Sequence, residues 1–257
     1  MRFGRQSLLL PLIVFFWVCV TIADMEKTSF DGLAGIIDCV IEQPETAPRG
    51  WALVLHPHPL HGGARDNKIV TTIARACLQD GLVAVRPNFR GVGESQGQFD
   101  KAVGETHDMR ELVRQFVQRY PEAAAGKWVL AGFSFGTSVA AQLYSIMEEE
   151  RRNAAGAAPK AGQAGVQSDS GAHPVPDALI LVGSAVERFK FRDIAVPEDT
   201  LLVHGEVDEV VPLSEAMDFA RSHGLPLTIV PDGSHFFHGK LIMLRKLVQD
   251  RLLALWA

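Results

Sequence analysis

Short apolar runs recur along the chain, continuous at residues 51–55, 82–85, 128–131 and 178–183 and broken only by Thr200, His204 and Thr228 at 200–205 and 227–230, all of which read as strands. A run that is apolar at nearly every position but too short for a buried helix reads as a strand covered on both faces. Between the runs the period changes. Ile69, Ile73, Ala76 and Cys77 share one face of a helix over 67–80, and Gly81 ends it. Leu112, Val113, Phe116 and Val117 do the same over 105–120, and Val139, Ala140, Leu143, Ile146 and Met147 continue the pattern beyond residue 136. Helices are expected again at 212–223 and 239–256. Strands alternating with amphipathic helices predict an α/β fold: a mostly parallel, twisted sheet with helices on both faces. Ahead of it, Phe30-Asp31-Gly32 is a turn signal. Ile37, Cys39 and Ile41 then alternate with Asp38, Val40 and Glu42, which predicts an antiparallel pair at the sheet edge.

Right-handed crossovers place the loops that follow parallel strands on one edge of the sheet, where ligands bind in open α/β sheets. Every unusual loop of this chain follows a strand: 56–63, 88–95, 132–136, 205–212 and 232–235. The second, Asn88-Phe89-Arg90-Gly91-Val92-Gly93-Glu94-Ser95, is not a dinucleotide cradle. Gln96 stands where a third glycine would be needed.

The 257 residues are 47% hydrophobic, enough for a sizeable core, and one globular domain is expected over 25–257. Over 148–176 Ala, Gly, Ser, Gln and Pro replace bulky apolar residues. Such a stretch cannot bury enough surface to offset its ordering entropy, so it reads as a frayed helix end and a disordered insertion. Residues 1–24 admit three readings. Arg2 and Arg5 ahead of the apolar run 8–23, with Thr21-x-Ala23, resemble a signal peptide. The same run could be a short membrane anchor. Alternatively Met25 is the effective start of a cytoplasmic enzyme. Export, or a membrane contact, is expected only if residues 1–24 are retained. A net charge of -5 gives no nucleic-acid footprint. Cys19, Cys39 and Cys77 have neither metal-ligand nor disulfide spacing.

The chemistry centres on Gly132-Phe133-Ser134-Phe135-Gly136, set between a predicted strand and a predicted helix. In that context G-x-S-x-G is a nucleophile elbow. Small flanking residues let strand and helix approach closely, and the serine sits at a helix N-terminus that favours developing negative charge. A nucleophilic serine needs a base, and the base an orienting carboxylate. In this fold they follow in the order Ser, Asp or Glu, His. Asp208 lies in the loop after 200–205 and His235 in the loop after 227–230, each at the expected strand end.

These motifs, together with His56-Pro57-His58-Pro59-Leu60-His61-Gly62-Gly63 and Arg86-Pro87-Asn88-Phe89-Arg90-Gly91, resemble the α/β-hydrolase superfamily. The likeness is to its dienelactone-hydrolase-like, lidless bacterial serine esterase type, and covers about residues 25–256. It implies Ser134 as nucleophile, His235 as general base and Asp208 as its orienter, with no cofactor and no metal. It also implies an oxyanion hole built from the backbone N–H of Phe135 and one from the first loop. Pro57 and Pro59 carry no N–H, which leaves His58 or Leu60; His58 is expected. The implied activity is hydrolysis of carboxylic ester or thioester bonds of small substrates through an acyl-enzyme. The connection 184–199 is short, so no substantial lid is expected.

Other assignments are open to the same residues. Glu206, Glu209 and Asp232 are rival carboxylates, and His238 is a rival base. Arg90 could bind an anionic substrate or hold its loop by pairing with an acid. His56, His58 and His61 come within one residue of a binuclear zinc motif, with Leu60 where an aspartate ligand would stand. A serine peptidase acting on short peptides would use the same triad, and a non-catalytic binding module the same fold.

Overall fold

The chain enters its sheet through a hairpin. In a computed structural model, which describes residues 25–156 and 174–257, strand β1 (Met25–Gly32) pairs antiparallel with β2 (Gly35–Glu42) along its whole length. The turn therefore falls at Leu33 and Ala34, after the segment 30–32 expected to form it. Phe30 is instead a buried strand residue opposite Ile37. The remaining elements follow in order: β3 (Gly50–Leu55), α1 (Lys68–Gln79), β4 (Leu82–Pro87), α2 (Val103–Arg119), the short α3 (Pro121–Ala124), β5 (Lys127–Phe133), α4 (Phe135–Gly156), β6 (Ala178–Val182), β7 (Leu201–Gly205), α5 (Leu213–His223), β8 (Leu227–Val230) and α6 (Leu241–Leu253).

The sheet order is β1-β2-β4-β3-β5-β6-β7-β8, parallel from β4 onward. After β3 the chain first adds β4 on one side and then crosses to add β5 on the other. Loops leaving β3 and β5 therefore diverge from adjacent strand ends and open a crevice. Register sets what meets there. Leu55, the last residue of β3, pairs with Gly132 of β5, and Phe133 pairs with Val182 of β6.

The period-2 alternation of a strand explains why the runs are continuously apolar. Trp51, Leu53 and Leu55 point into one core, beneath α2 and α4, while Ala52 and Val54 point into the other, beneath α1 and α6. In the first core Trp51 stacks between Phe116 (4.3 Å between centroids) and Trp128 (4.9 Å). Burying a large side chain of this kind contributes roughly 2 kcal/mol. Cys39 and Cys77 are buried and free.

The stretch 148–176 departs from expectation in part. Helix α4 continues to Gly156, carried by charge rather than burial. Arg151 and Arg152 pair with Glu148, Arg110 pairs with Glu150 across to α2, and Arg192 pairs with Glu149. Val175 packs on the core at the other end. The rest of the expected insertion, 157–173, lies outside the described residues, as do residues 1–24. Among the described residues no helix is long and apolar enough to cross a membrane.

Candidate active site

Ser134 sits between β5 and α4 with φ +52°, in the left-handed region. For a residue with a Cβ this conformation costs about 1 kcal/mol or more. It is held from both sides. The Ser134 N–H donates to Val182 O at 2.9 Å, and Ser134 O accepts from Thr137 N at 2.9 Å and Thr137 Oγ1 at 2.6 Å. The flanking glycines are required by close approach. A Cβ on Gly132 would lie 2.3 Å from Gly136 O, and one on Gly136 2.6 Å from Leu55 O.

Three side chains from three strand ends meet at this turn. His235 Nε2 lies 3.0 Å from Ser134 Oγ, and His235 Nδ1 lies 2.7 Å from Asp208 Oδ2. All three residues are buried. The other Asp208 oxygen, Oδ1, accepts the N–H groups of Val210 (2.9 Å) and Val211 (2.7 Å). Burial alone would raise the Asp208 carboxyl. The hydrogen bond with His235 and these backbone donors outweigh it and hold the group below its ordinary value of 3.8. An ionised Asp208 places the proton of the neutral imidazole on Nδ1 and leaves Nε2 free to accept from the serine.

The rival acids serve the loops. Glu209 Oε2 accepts the His235 N–H at 3.1 Å, and Glu206 Oε2 accepts the Asp232 N–H at 3.0 Å. Each carboxylate thus ties the loop after β7 to the loop after β8. Asp232 itself occupies a left-handed turn position. The rival base His238 is exposed, with Nδ1 3.3 Å from Ser234 Oγ. Buried His204, within strand β7 and without a role in the sequence motifs, lies 2.8 Å through Nε2 from Val211 O and 3.4 Å from Asp208 Oδ2. Its burial depresses its pKa. A polar residue at the end of an otherwise apolar run was the available signal.

Among the described residues, His56, His58 and His61 do not gather into a cluster of three metal-ligating side chains. His56 Nε2 accepts the Phe89 N–H at 2.8 Å, so Nδ1 carries the proton and donates to Pro57 O at 2.7 Å; both nitrogens are committed. His58 Nδ1 accepts the Leu60 N–H at 3.2 Å, and the His58 ring stacks on His61. That bond engages Leu60, one of the two candidate oxyanion donors. Phe135 opens α4, so its N–H precedes the first intrahelical acceptor. Arg90 forms a two-pronged pair with Asp108, also approaches Asp100, and so holds its loop against α2.

No protein-family profile matches the chain. The α/β serine hydrolase XC6422 from Xanthomonas campestris, a protein without a lid, is 31% identical. The match covers 90% of this chain and 94% of that one, with a TM-score of 0.72. This chain belongs to the lidless α/β serine hydrolases. An α/β serine hydrolase homologue from Coxiella burnetii is 33% identical to this hydrolase over 88% of its chain and 96% of the other, with a TM-score of 0.69. The uncharacterized protein RP471 of Rickettsia prowazekii is 28% identical over 239 residues, 90% of each chain.

Proposed function

We propose that the hydrolase cleaves carboxylic ester or thioester bonds of small substrates through an acyl-enzyme on Ser134. The observation that carries this reading is the unbroken chain of contacts, 2.7 Å and 3.0 Å, from Asp208 through His235 to Ser134 Oγ. As Ser134 Oγ attacks the carbonyl carbon, its proton passes to His235 Nε2, and Asp208 stabilises the resulting imidazolium. The tetrahedral oxyanion is held by the backbone N–H groups of Phe135 and His58. The engagement of Leu60 N–H by His58 Nδ1 favours His58 over Leu60 as second donor. Collapse breaks the bond to the leaving oxygen or sulfur, which takes the proton from His235. Water then donates a proton to His235 and attacks the acyl-serine, releasing the acid and restoring the serine.

The test is covalent labelling of the full chain with a fluorophosphonate, read by intact mass. One adduct is expected on the parent and none on Ser134→Ala, whose ester turnover should fall about a thousandfold or more. Folded parent protein without an adduct would mean that the serine is not activated.

A further inference from the structure

Three partly exposed rings from three separate segments lie over one buried ring beside the nucleophile. His58, Phe99 and Phe189 place their centroids 5.3, 5.4 and 4.9 Å from that of Phe135, which is itself buried. His58 and Phe99 are also 4.7 Å apart. Together they make an aromatic shelf whose two innermost residues, His58 and Phe135, carry the proposed oxyanion donors.

The shelf has fixed walls. The segment that bears Phe189 is tied to α4 at successive turns by a buried polar stripe. Thr137 Oγ1 accepts the Ala185 N–H (2.9 Å) and Ser138 Oγ donates to Ala185 O (2.6 Å). Gln142 brackets Phe189 itself, with Nε2 donating to Phe189 O (3.3 Å) and Oε1 accepting the Phe191 N–H (2.8 Å). Ser145 Oγ accepts the Ala195 N–H (2.9 Å) and lies 3.0 Å from Ala195 O. These residues sit on the helix that begins one residue after Ser134, so the ring and the nucleophile share one rigid support.

Geometry decides which part of a substrate meets the shelf. The leaving atom must face His235 Nε2 to receive a proton, on the side where exposed Phe236 packs edge-on against His235. With the oxyanion turned to the Phe135 and His58 backbone and the leaving atom turned to His235, the acyl substituent is left on the side opposite His235, over the shelf rings. Charge narrows the class. Arg90 is committed to Asp108 and Arg188 to Glu215, and burial, with the neighbouring His61, lowers the His58 pKa and so favours its neutral form. Stacked rings beside two arginines already paired with carboxylates suit an uncharged aromatic face.

We infer that the acyl part of the substrate is an uncharged aryl or arylalkyl group seated on the His58–Phe99–Phe189 shelf, which makes Phe189 a specificity-determining residue. The inference rests on the acyl-enzyme reading above.

It is tested with 4-nitrophenyl esters, which share one leaving group: the phenylacetate, the acetate and the anionic hemisuccinate. The phenylacetate should exceed the acetate in kcat/KM by about tenfold or more, the scale of an apolar subsite, and the hemisuccinate should be the poorest. Phe189→Ala should lower the phenylacetate-to-acetate ratio by about tenfold, and Phe189→Leu by less. A preference for acetate or hemisuccinate, or an equal loss on all esters in Phe189→Ala, would overturn the assignment. Fluorophosphonate labelling of Ser134 without phenylacetate turnover would overturn the acyl class alone. Absence of labelling would overturn the reading beneath it as well.

Discussion

Glu209 accepts the backbone N–H of His235 at 3.1 Å, so a carboxylate one residue past Asp208 anchors the loop that presents the imidazole. The acid loop and the base loop are joined by the Asp208–His235 contact and by several bonds to the backbone, and the Glu209 link is the one that holds the His235 backbone itself. Removing the Glu209 link should let His235 drift relative to Ser134. Glu209→Ala is expected to lower kcat by between about tenfold and a hundredfold, the scale of a misplacement near 1 Å. Glu209→Gln keeps an oxygen acceptor and should retain most activity. Steady-state kinetics on the two variants decide the point; equal loss in both would assign the effect to the charge rather than to the anchor.

The His56 imidazole links the loop after β3 to the loop after β4 and is buried neutral. Burial pushes its pKa down from 6.5 to about 4. The sign follows from proton uptake. Between those values the unfolded chain binds a proton at this site that the folded chain excludes, so stability contributed here is present above pH 6.5. It is lost as pH falls toward 4. The loss amounts to on the order of 3 kcal/mol over that window. Protonation would also convert Nε2, the acceptor of the Phe89 N–H, into a donor facing a donor. Thermal melts of the parent at pH 7, 6, 5 and 4.5 should show a falling Tm. His56→Gln should be less stable at pH 7 and should show a smaller decline. A parallel decline in both proteins would remove His56 from the acid response.

The fold, and the meeting of Ser134, Asp208 and His235, were legible because each rests on local pattern. Continuous apolar runs such as 51–55 admit few placements other than a strand with both faces covered, and Ser134, Asp208 and His235 each follow such a run. What escaped was set by charge or by partners distant in sequence. The last turns of α4 look too polar to hold, yet ion pairs from Arg110 and Arg192 reach them from α2 and from the segment before β7. Phe30-Asp31-Gly32 reads as a turn because local residue type cannot reveal that Phe30 finds a buried site opposite Ile37. Glu209 reads only as a rival carboxylate because its partner, a backbone N–H, has no sequence signature. The Phe99 and Phe189 rings lie ninety residues apart in the chain and are brought together in the fold over Phe135 and His58.

Gln142 is fully buried, and its amide makes both bonds that bracket Phe189. In Gln142→Leu the side chain keeps comparable bulk but loses both, and the Phe191 N–H is left without its acceptor. Each lost hydrogen bond removes about 0.5–1.5 kcal/mol, so a lower Tm is expected. The functional signature should be more specific than the loss of stability. Ser134 is held by Val182 and Thr137, and His235 by Asp208 and Glu209, none of which bonds Gln142, so kcat for a small acyl ester should change little. The freed segment should move Phe189 off the shelf and raise KM for an arylacetyl ester. A split between KM and kcat would show that the polar stripe of α4 acts by holding the acyl wall. A fall in kcat shared by all esters would show instead that the stripe supports the elbow itself.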